Sequence, residues 1–418
     1  MKILIKQAQV ISPSSPFNGQ TKDILITNGK IEKIADAITE KADQAIEQKG
    51  LCISIGWMDV FADFADPGFE YRENIESGAK AAAAGGFTDV MLLPNTNPVA
   101  DSKSQIDYIV QKAKQVAINI HPIAAITRNA EGKELAEMYD MQQTGALAFS
   151  DGINPIQNSG LLLKALQYVK TVDGTVIQIP DDTSIGANGL MNEGIISTQM
   201  GLPGKPTMAE ELMVARDIKL ARYADSKIHF TGVSSPKSLE YIKRAKEGGI
   251  KVSCSITPYQ VYFCDEDLQQ YDTNLKLNPP LRSRADMTAI HKALLDGGID
   301  CIASHHLPQN WDSKTCEFEY AKAGMISLET SFAALITAGL PVANFVQMQT
   351  VNARKLFGLP VPEIKEGEMA CITLFNPDTE FVFGEEMLRS RSKNSPFIGK
   401  HLKGKVLGII NKAQLQLN

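Results

Sequence analysis

Residues 59 to 68, DVFADFADPG, place Asp59, Asp63 and Asp66 directly after an apolar run, Cys52-Ile53-Ser54-Ile55-Gly56-Trp57-Met58. Such a run reads as the end of a buried strand, and the residues after it as a loop. In a barrel of parallel strands, residues just past a strand's C-terminal end face the active site. Asp151, in Phe149-Ser150-Asp151-Gly152, and His305, in Ser304-His305-His306-Leu307-Pro308-Gln309, stand at the ends of two further predicted strands. Carboxylates and an imidazole at one barrel mouth are residue types that hold a cation or move a proton.

The elements that must position them alternate along the middle of the chain. Strand candidates are the run ending at Phe61, then 88–93, 118–126, 146–150, 175–179, 228–233, 250–256 and 299–304. Helical periodicity lies between them, as in the stripe Ile106, Ile109, Val110, Ala113. Ser235 before Pro236, with Gly248-Gly249 at the far end, punctuates another helix. Eight such units in about 300 residues have the size of a (β/α)8 barrel. A doubly wound sheet would want a Gly-rich turn after its first strand, and residues 61–67 are not one. The flanks read as strands, with Asn28-Gly29 as a hairpin turn. The expected layout is a TIM-like barrel over 55–358 and a composite β-sandwich domain from 1–54 and 359–418. Residues 383–394, ending Arg389-Ser390-Arg391-Ser392-Lys393-Asn394, read as a solvated loop.

Stretches at the predicted strand ends resemble dihydroorotase, a cyclic amidohydrolase of the metallo-dependent hydrolase superfamily. The family's first signature is DVHVHLRDPG. Here Asp59, Val60, Asp66, Pro67 and Gly68 keep its frame, while Phe61 and Asp63 stand at the two histidines and Ala65 at the substrate arginine. Pro94-Asn95-Thr96 matches the family's PNT, 149–152 resembles FSDDG, and Asn278-Pro279-Pro280-Leu281-Arg282 matches NPPLR. Thr257-Pro258-Tyr259-Gln260 stands for TPHH, and 304–309 for SDHAPH. Gly189 to Gly194, Leu328-Glu329-Thr330, 352–358 and 395–399 also look like family landmarks, so the likeness spans nearly the whole chain.

The resemblance implies an enzyme that interconverts carbamoyl aspartate and dihydroorotate in pyrimidine biosynthesis. It also implies that the metal ligands fall on Phe61, Asp63, Asp151, Gln178, Gly232 and His305. Phenylalanine and glycine cannot ligate, and a glutamine oxygen is a poor zinc donor. Asp151 keeps its type, while His305 replaces the aspartate that is both ligand and acid/base. Bound zinc lowers the pKa of water from about 15.7 to about 7, worth on the order of 10 kcal/mol, whereas a general base typically contributes about 10²–10⁴ in rate. The expectation is therefore a degenerate member without bound metal. The alternative is one zinc ion held by Asp63, Asp151 and His305. Asn95 and Asn278 are expected as vestigial substrate contacts, with a structural turn role as the competing reading. Some inactive dihydroorotase-like proteins pair with aspartate carbamoyltransferase, so that enzyme, or an active dihydroorotase, is the expected partner. A homo-oligomer is also expected. A small-molecule sensor using the vacated mouth is a third possibility.

Composition narrows the setting. The 418 residues are 44% hydrophobic and 22% charged, an ordinary globular balance. A net charge of −6 argues against a nucleic-acid or anionic-membrane surface. The first residues carry no secretory signal pattern, and no apolar run is long enough to span a bilayer. Six cysteines without CxxC spacing fit a reducing cytoplasm. His121, inside an apolar strand, reads as a satisfied core histidine, and His291 and His401 have no carboxylate or cysteine company suggesting a site. Strand alternation places His229 on the opposite face from Gly232.

Overall fold

The computed structural model describes all of residues 1–418. Eight parallel strands form the central sheet: β1 (Trp57–Ala62), β2 (Phe87–Leu92), β3 (Asn119–Ala124), β4 (Ala148–Phe149), β5 (Thr175–Gln178), β6 (Lys227–Phe230), β7 (Val252–Ile256) and β8 (Cys301–Ile302). Each pairs with the next, and a parallel bridge between Ala62 and His306 joins the two ends into a barrel. All eight strands fall on the stretches expected from the sequence.

Alternation along these strands separates two cores. Met58, Val60, Met91, Ile123, Ile177 and Cys301 pack together inside the barrel. Their neighbours Trp57, Val90, Leu92, Val176 and Ile228 join the layer beneath the helices. A strand buried on both sides reads as a nearly continuous apolar run, which is why these segments are legible in the sequence. The helices also keep their punctuation. In Pro236–Glu247, Ser235 Oγ accepts from the Lys237 and Ser238 amides at 3.2 and 3.4 Å. In Lys103–Ala113 the buried residues are Ile106, Ile109 and Ala113.

The flanks assemble into one mixed sheet of eight strands, drawn from 2–55 and 372–417. Asn28 and Gly29 have φ of 52° and 81°, the doubly left-handed geometry of a tight hairpin. The run read as one element in the sequence is divided: Cys52–Ile55 pairs with 372–375 of the flanking sheet, and Trp57 starts β1. Gly56 marks the break. A Cβ there would lie 2.0 Å from Thr88 Oγ1, so only glycine lets the chain pass. Trp57 cements the junction, with ring centroids 5.3 Å from Phe375 of the sheet and 4.9 Å from Phe332 of the barrel layer.

One expectation is corrected. Residues 383–394 are not a solvated loop. Ser390, Ser392 and Asn394 are each 5% exposed or less. Ser390 donates to Glu73, Ser392 to the Arg72 carbonyl at 2.7 Å, and Asn394 to the carbonyls of Leu307 and Gly324, both at 3.1 Å. The polar side chains pair with Glu73 and with main-chain carbonyls, while Arg389, Arg391 and Lys393 take the water-facing positions.

Candidate functional site

Within β1, Asp59 anchors the strand to the segment after β8. Its carboxylate accepts from the Ser304 amide at 2.6 Å and the Ser304 hydroxyl at 2.8 Å, tying β1 to the turn after β8. Burial pushes its pKa up, against these bonds. Asp63 is 4% exposed, accepts from the Ala65 amide at 2.7 Å, and lies 3.6 Å from the Arg72 guanidinium. Burial raises its pKa too, with Arg72 opposing. The cation beside Asp63 is therefore supplied by the chain itself.

Phe61 and His305 fill the mouth. Their rings stack at 4.5 Å and 32°. His305 is 1% exposed, with φ of 46°, and its Nε2 is 2.8 Å from the Thr231 hydroxyl. Gly232, where the resemblance places a histidine ligand, explains how the ring fits. A Cβ there would lie 2.6 Å from His305 Cε1, and φ of 70° also favours glycine. The imidazole occupies space that a side chain at 232 would need. Its Nδ1 has no partner. Burial, then the neighbouring His229, lowers its pKa to about 3, so the ring is neutral.

Asp151 is turned into the main chain. One oxygen accepts from the Ile126 and Thr127 amides, both at 2.9 Å, and the other from the Thr127 hydroxyl. Burial raises its pKa to about 6 despite these bonds. Gln178 is tied to Ile156 through both ends of its amide, at 3.3 and 3.4 Å. No group of three or more His, Cys, Asp or Glu side chains in the chain could hold a metal ion. Asp63, Asp151 and His305, the alternative ligand set for one zinc ion, each have other partners. The residues present do not fit the metal-ligand set that the resemblance implies. The mouth is also not vacated, as the sensor reading supposed, because two rings fill it.

The two asparagines sit in structural settings. Asn95 donates to the Asp151 carbonyl and accepts from the Ile153 amide, each at 3.0 Å. It closes the turn after β4, where a Cβ at Gly152 would lie 1.7 Å from its Oδ1. Asn278 accepts from Lys205 at 2.9 Å and faces Asp181 at 3.3 Å. Gln309 donates to the Ala323 carbonyl at 3.0 Å.

Two features escaped the sequence reading. His306 is buried, accepts from the Ser327 amide at 3.2 Å, and lies 3.6 Å from Glu73. Burial disfavours the Glu73 charge, but His306, Ser390 and Ser77 outweigh it and hold its pKa low. His229 lies inside the barrel, bonded to Ser253 at 2.8 Å and Ser255 at 3.0 Å. Ser255 donates to Thr231 at 2.9 Å, which links His229 to His305. The alternation of hydroxyls and imidazole on β6 and β7 was the available signal.

A parallel barrel with loops at its C-terminal mouth and a mixed sheet built from both ends is the architecture of the cyclic amidohydrolases. Among solved structures, L-hydantoinase (dihydropyrimidinase) from Arthrobacter aurescens superposes with a TM-score of 0.83 at 21% identity, over 99% of this chain and 95% of that one. Dihydropyrimidinase from Brevibacillus agri gives 0.82 at 20% identity, over 100% and 95%. At that identity the likeness concerns the fold. The dihydro-orotase-like family model matches residues 50–238. A dihydroorotase of Syntrophus aciditrophicus is 41% identical over 414 residues, 97% of each chain, and one of Geobacter metallireducens is 40% identical over 410 residues, 97% and 96%. The chain belongs to the dihydroorotase family. No helix is long and apolar enough to cross a membrane.

Proposed function

We propose that this dihydroorotase-family chain is a non-catalytic member. In this reading it serves pyrimidine biosynthesis as a structural partner of aspartate carbamoyltransferase or of an active dihydroorotase. One observation carries it: the mouth is closed by the Phe61–His305 stack, with His305 in the space a side chain at Gly232 would need. Asp63 and Asp151 have turned to Arg72 and to main-chain amides. A neutral, buried imidazole does not replace a metal-activated water. The partner role is supported by the family's assembly habits alone.

A second reading is an active, metal-dependent dihydroorotase with an atypical site. The comparisons favour it, because relatives 38–41% identical over nearly the whole chain bear that name. Metal analysis after gentle purification, combined with dihydroorotate turnover, separates the two. The non-catalytic reading expects far less than one metal per chain and no turnover above background. Near-stoichiometric zinc, with turnover abolished by Asp151→Ala, establishes the active enzyme instead. Co-expression with aspartate carbamoyltransferase and with an active dihydroorotase, followed by size exclusion, tests the partner. Independent elution from both removes that role.

A further inference from the structure

Residues 389–391 pass over a pair of acids that belong to other parts of the chain. Glu73, fully buried just before the helix Ile75–Ala84, accepts from the hydroxyls of Ser77 and Ser390 and from the Arg391 amide at 3.2 Å. Glu329 accepts from the Arg389 amide through Oε1, while its buried Oε2 has no partner. Two carboxylates thus pin three successive residues of the polar segment. Neither has a lysine or arginine within ion-pair distance, and the one cationic candidate is His306, whose Nε2 lies 3.6 Å from Glu73. His306 Nδ1 accepts from the Ser327 amide at 3.2 Å, so the ring's hydrogen sits on Nε2, which also lacks a hydrogen-bond partner. Two orphaned buried atoms, Glu329 Oε2 and His306 Nε2, mark this cluster.

Two neighbouring buried carboxylates do not both ionise cheaply without a cation between them. Glu73 holds the better donors and keeps its charge. Burial first, with Glu73 adding repulsion, raises the Glu329 pKa to about 7, against the Arg389 amide and His306. On the outer side, Glu386, Arg389 and Lys405 border a cavity of about 260 Å3 together with Glu329. The Arg389 guanidinium there is bound to the carbonyls of Glu386 and Met387, at 3.0 and 3.4 Å, and pairs with neither acid. We propose that residues 383–394 form a pH-sensitive strap, latched to the barrel by Glu73 and Glu329 while the two share one negative charge, and loosened when both are ionised. The direction follows from linkage. The latched state holds a proton that an open, solvated Glu329 gives up near its ordinary value of 4.5, so the latch is complete below that pH and weakens as the pH rises through 7. The strap works in this way whether or not the mouth performs chemistry.

The test is hydrogen–deuterium exchange of the full-length chain at pH 6.0 and pH 8.5, read by mass spectrometry on peptides covering 385–394 and corrected for the intrinsic exchange rate. The helix Pro236–Glu247 serves as internal reference. The open population of the strap is expected to rise about 10-fold between the two conditions, the ratio set by a glutamate that moves from about 7 when latched to 4.5 when open. The reference helix should change less than about 2-fold. Glu329→Gln keeps the acceptor but cannot ionise, and should flatten the rise. Glu386→Gln, on the exposed side, should behave as the parent does. If Glu329→Gln does not fold, as judged by circular dichroism, Glu73→Gln decides, because removal of the neighbouring charge should make the rise smaller than the parent's. No rise in the parent overturns the proposal, as does an equal rise in the reference helix, or a rise as large as the parent's in whichever of the two variants folds.

Discussion

Gly232 and His305 show how the residue at one position makes room for another. With no side chain at 232, the His305 ring occupies the space, stacks on Phe61 and reaches Thr231. Gly232→Ala meets both a positive φ and a Cβ contact of 2.6 Å. The expected cost is roughly 2–4 kcal/mol in urea denaturation, combining backbone strain with overpacking. The paired histidines also give acid sensitivity. His229 and His305 have folded pKa values lowered to about 4 and about 3, chiefly by burial, from 6.5. Lowered values mean that the unfolded chain takes up protons first. Their stabilisation is complete above pH 6.5 and is lost as the pH falls from there toward 4. For His229 the shift is worth on the order of 3 kcal/mol. Histidine-ring NMR should show both rings still neutral at pH 5. In His229→Leu, the stability difference between pH 7 and pH 5 should shrink relative to the parent. An unchanged difference would show that these rings do not carry the effect.

Among the elements, the segment after residue 383 has a structural rather than a solvent role. Asn394 accepts from the Gln309 amide at 3.1 Å and donates to two carbonyls, so it bridges the segment after β8 and the loop that covers it. Asn394→Ala leaves three main-chain groups unpaired. The expected loss is about 2–4 kcal/mol, given about 1–3 kcal/mol for each buried group left unsatisfied and partial rescue by water. The loop should then open locally. Limited trypsin digestion is expected to cut after Arg391 and Lys393 in the variant before the rest of the chain is touched. Equal digestion of parent and variant would mean that Asn394 does not hold the loop.

For the whole molecule, protein groups join the first strand of the barrel to the last, through Asp59 bonded to Ser304 and the bridge between Ala62 and His306. The two-ring stack fills the mouth that such a closure leaves. On the non-catalytic reading, exhaustive chelation is expected to leave the thermal unfolding midpoint within about 1 °C, since a ligand that does not bind the native state cannot shift it. A fall of several degrees, reversed by added zinc, would identify a stabilising metal and favour the active reading.

The amino-acid sequence by itself determined the barrel and its strand order, because strands buried on both faces must be apolar and each helix must bury one stripe. It also determined the family, since the motifs keep their order along the whole chain, and it put Phe61, Gly232 and Gln178 where the family resemblance implies metal ligands. Tertiary structure alone decided where the remaining polar groups turned. Asp63 and Asp151 have the same chemistry in any fold, but a cation at 3.6 Å and amides at 2.9 Å redirect them. His229 and His305, far apart in sequence, meet through two hydroxyls because β6 and β7 are neighbours. The polar loop at 383–394 reads as solvent-facing on composition, yet its small side chains pair with main chain from distant segments. Such partners are fixed by three-dimensional proximity, and residue type alone carries no record of them.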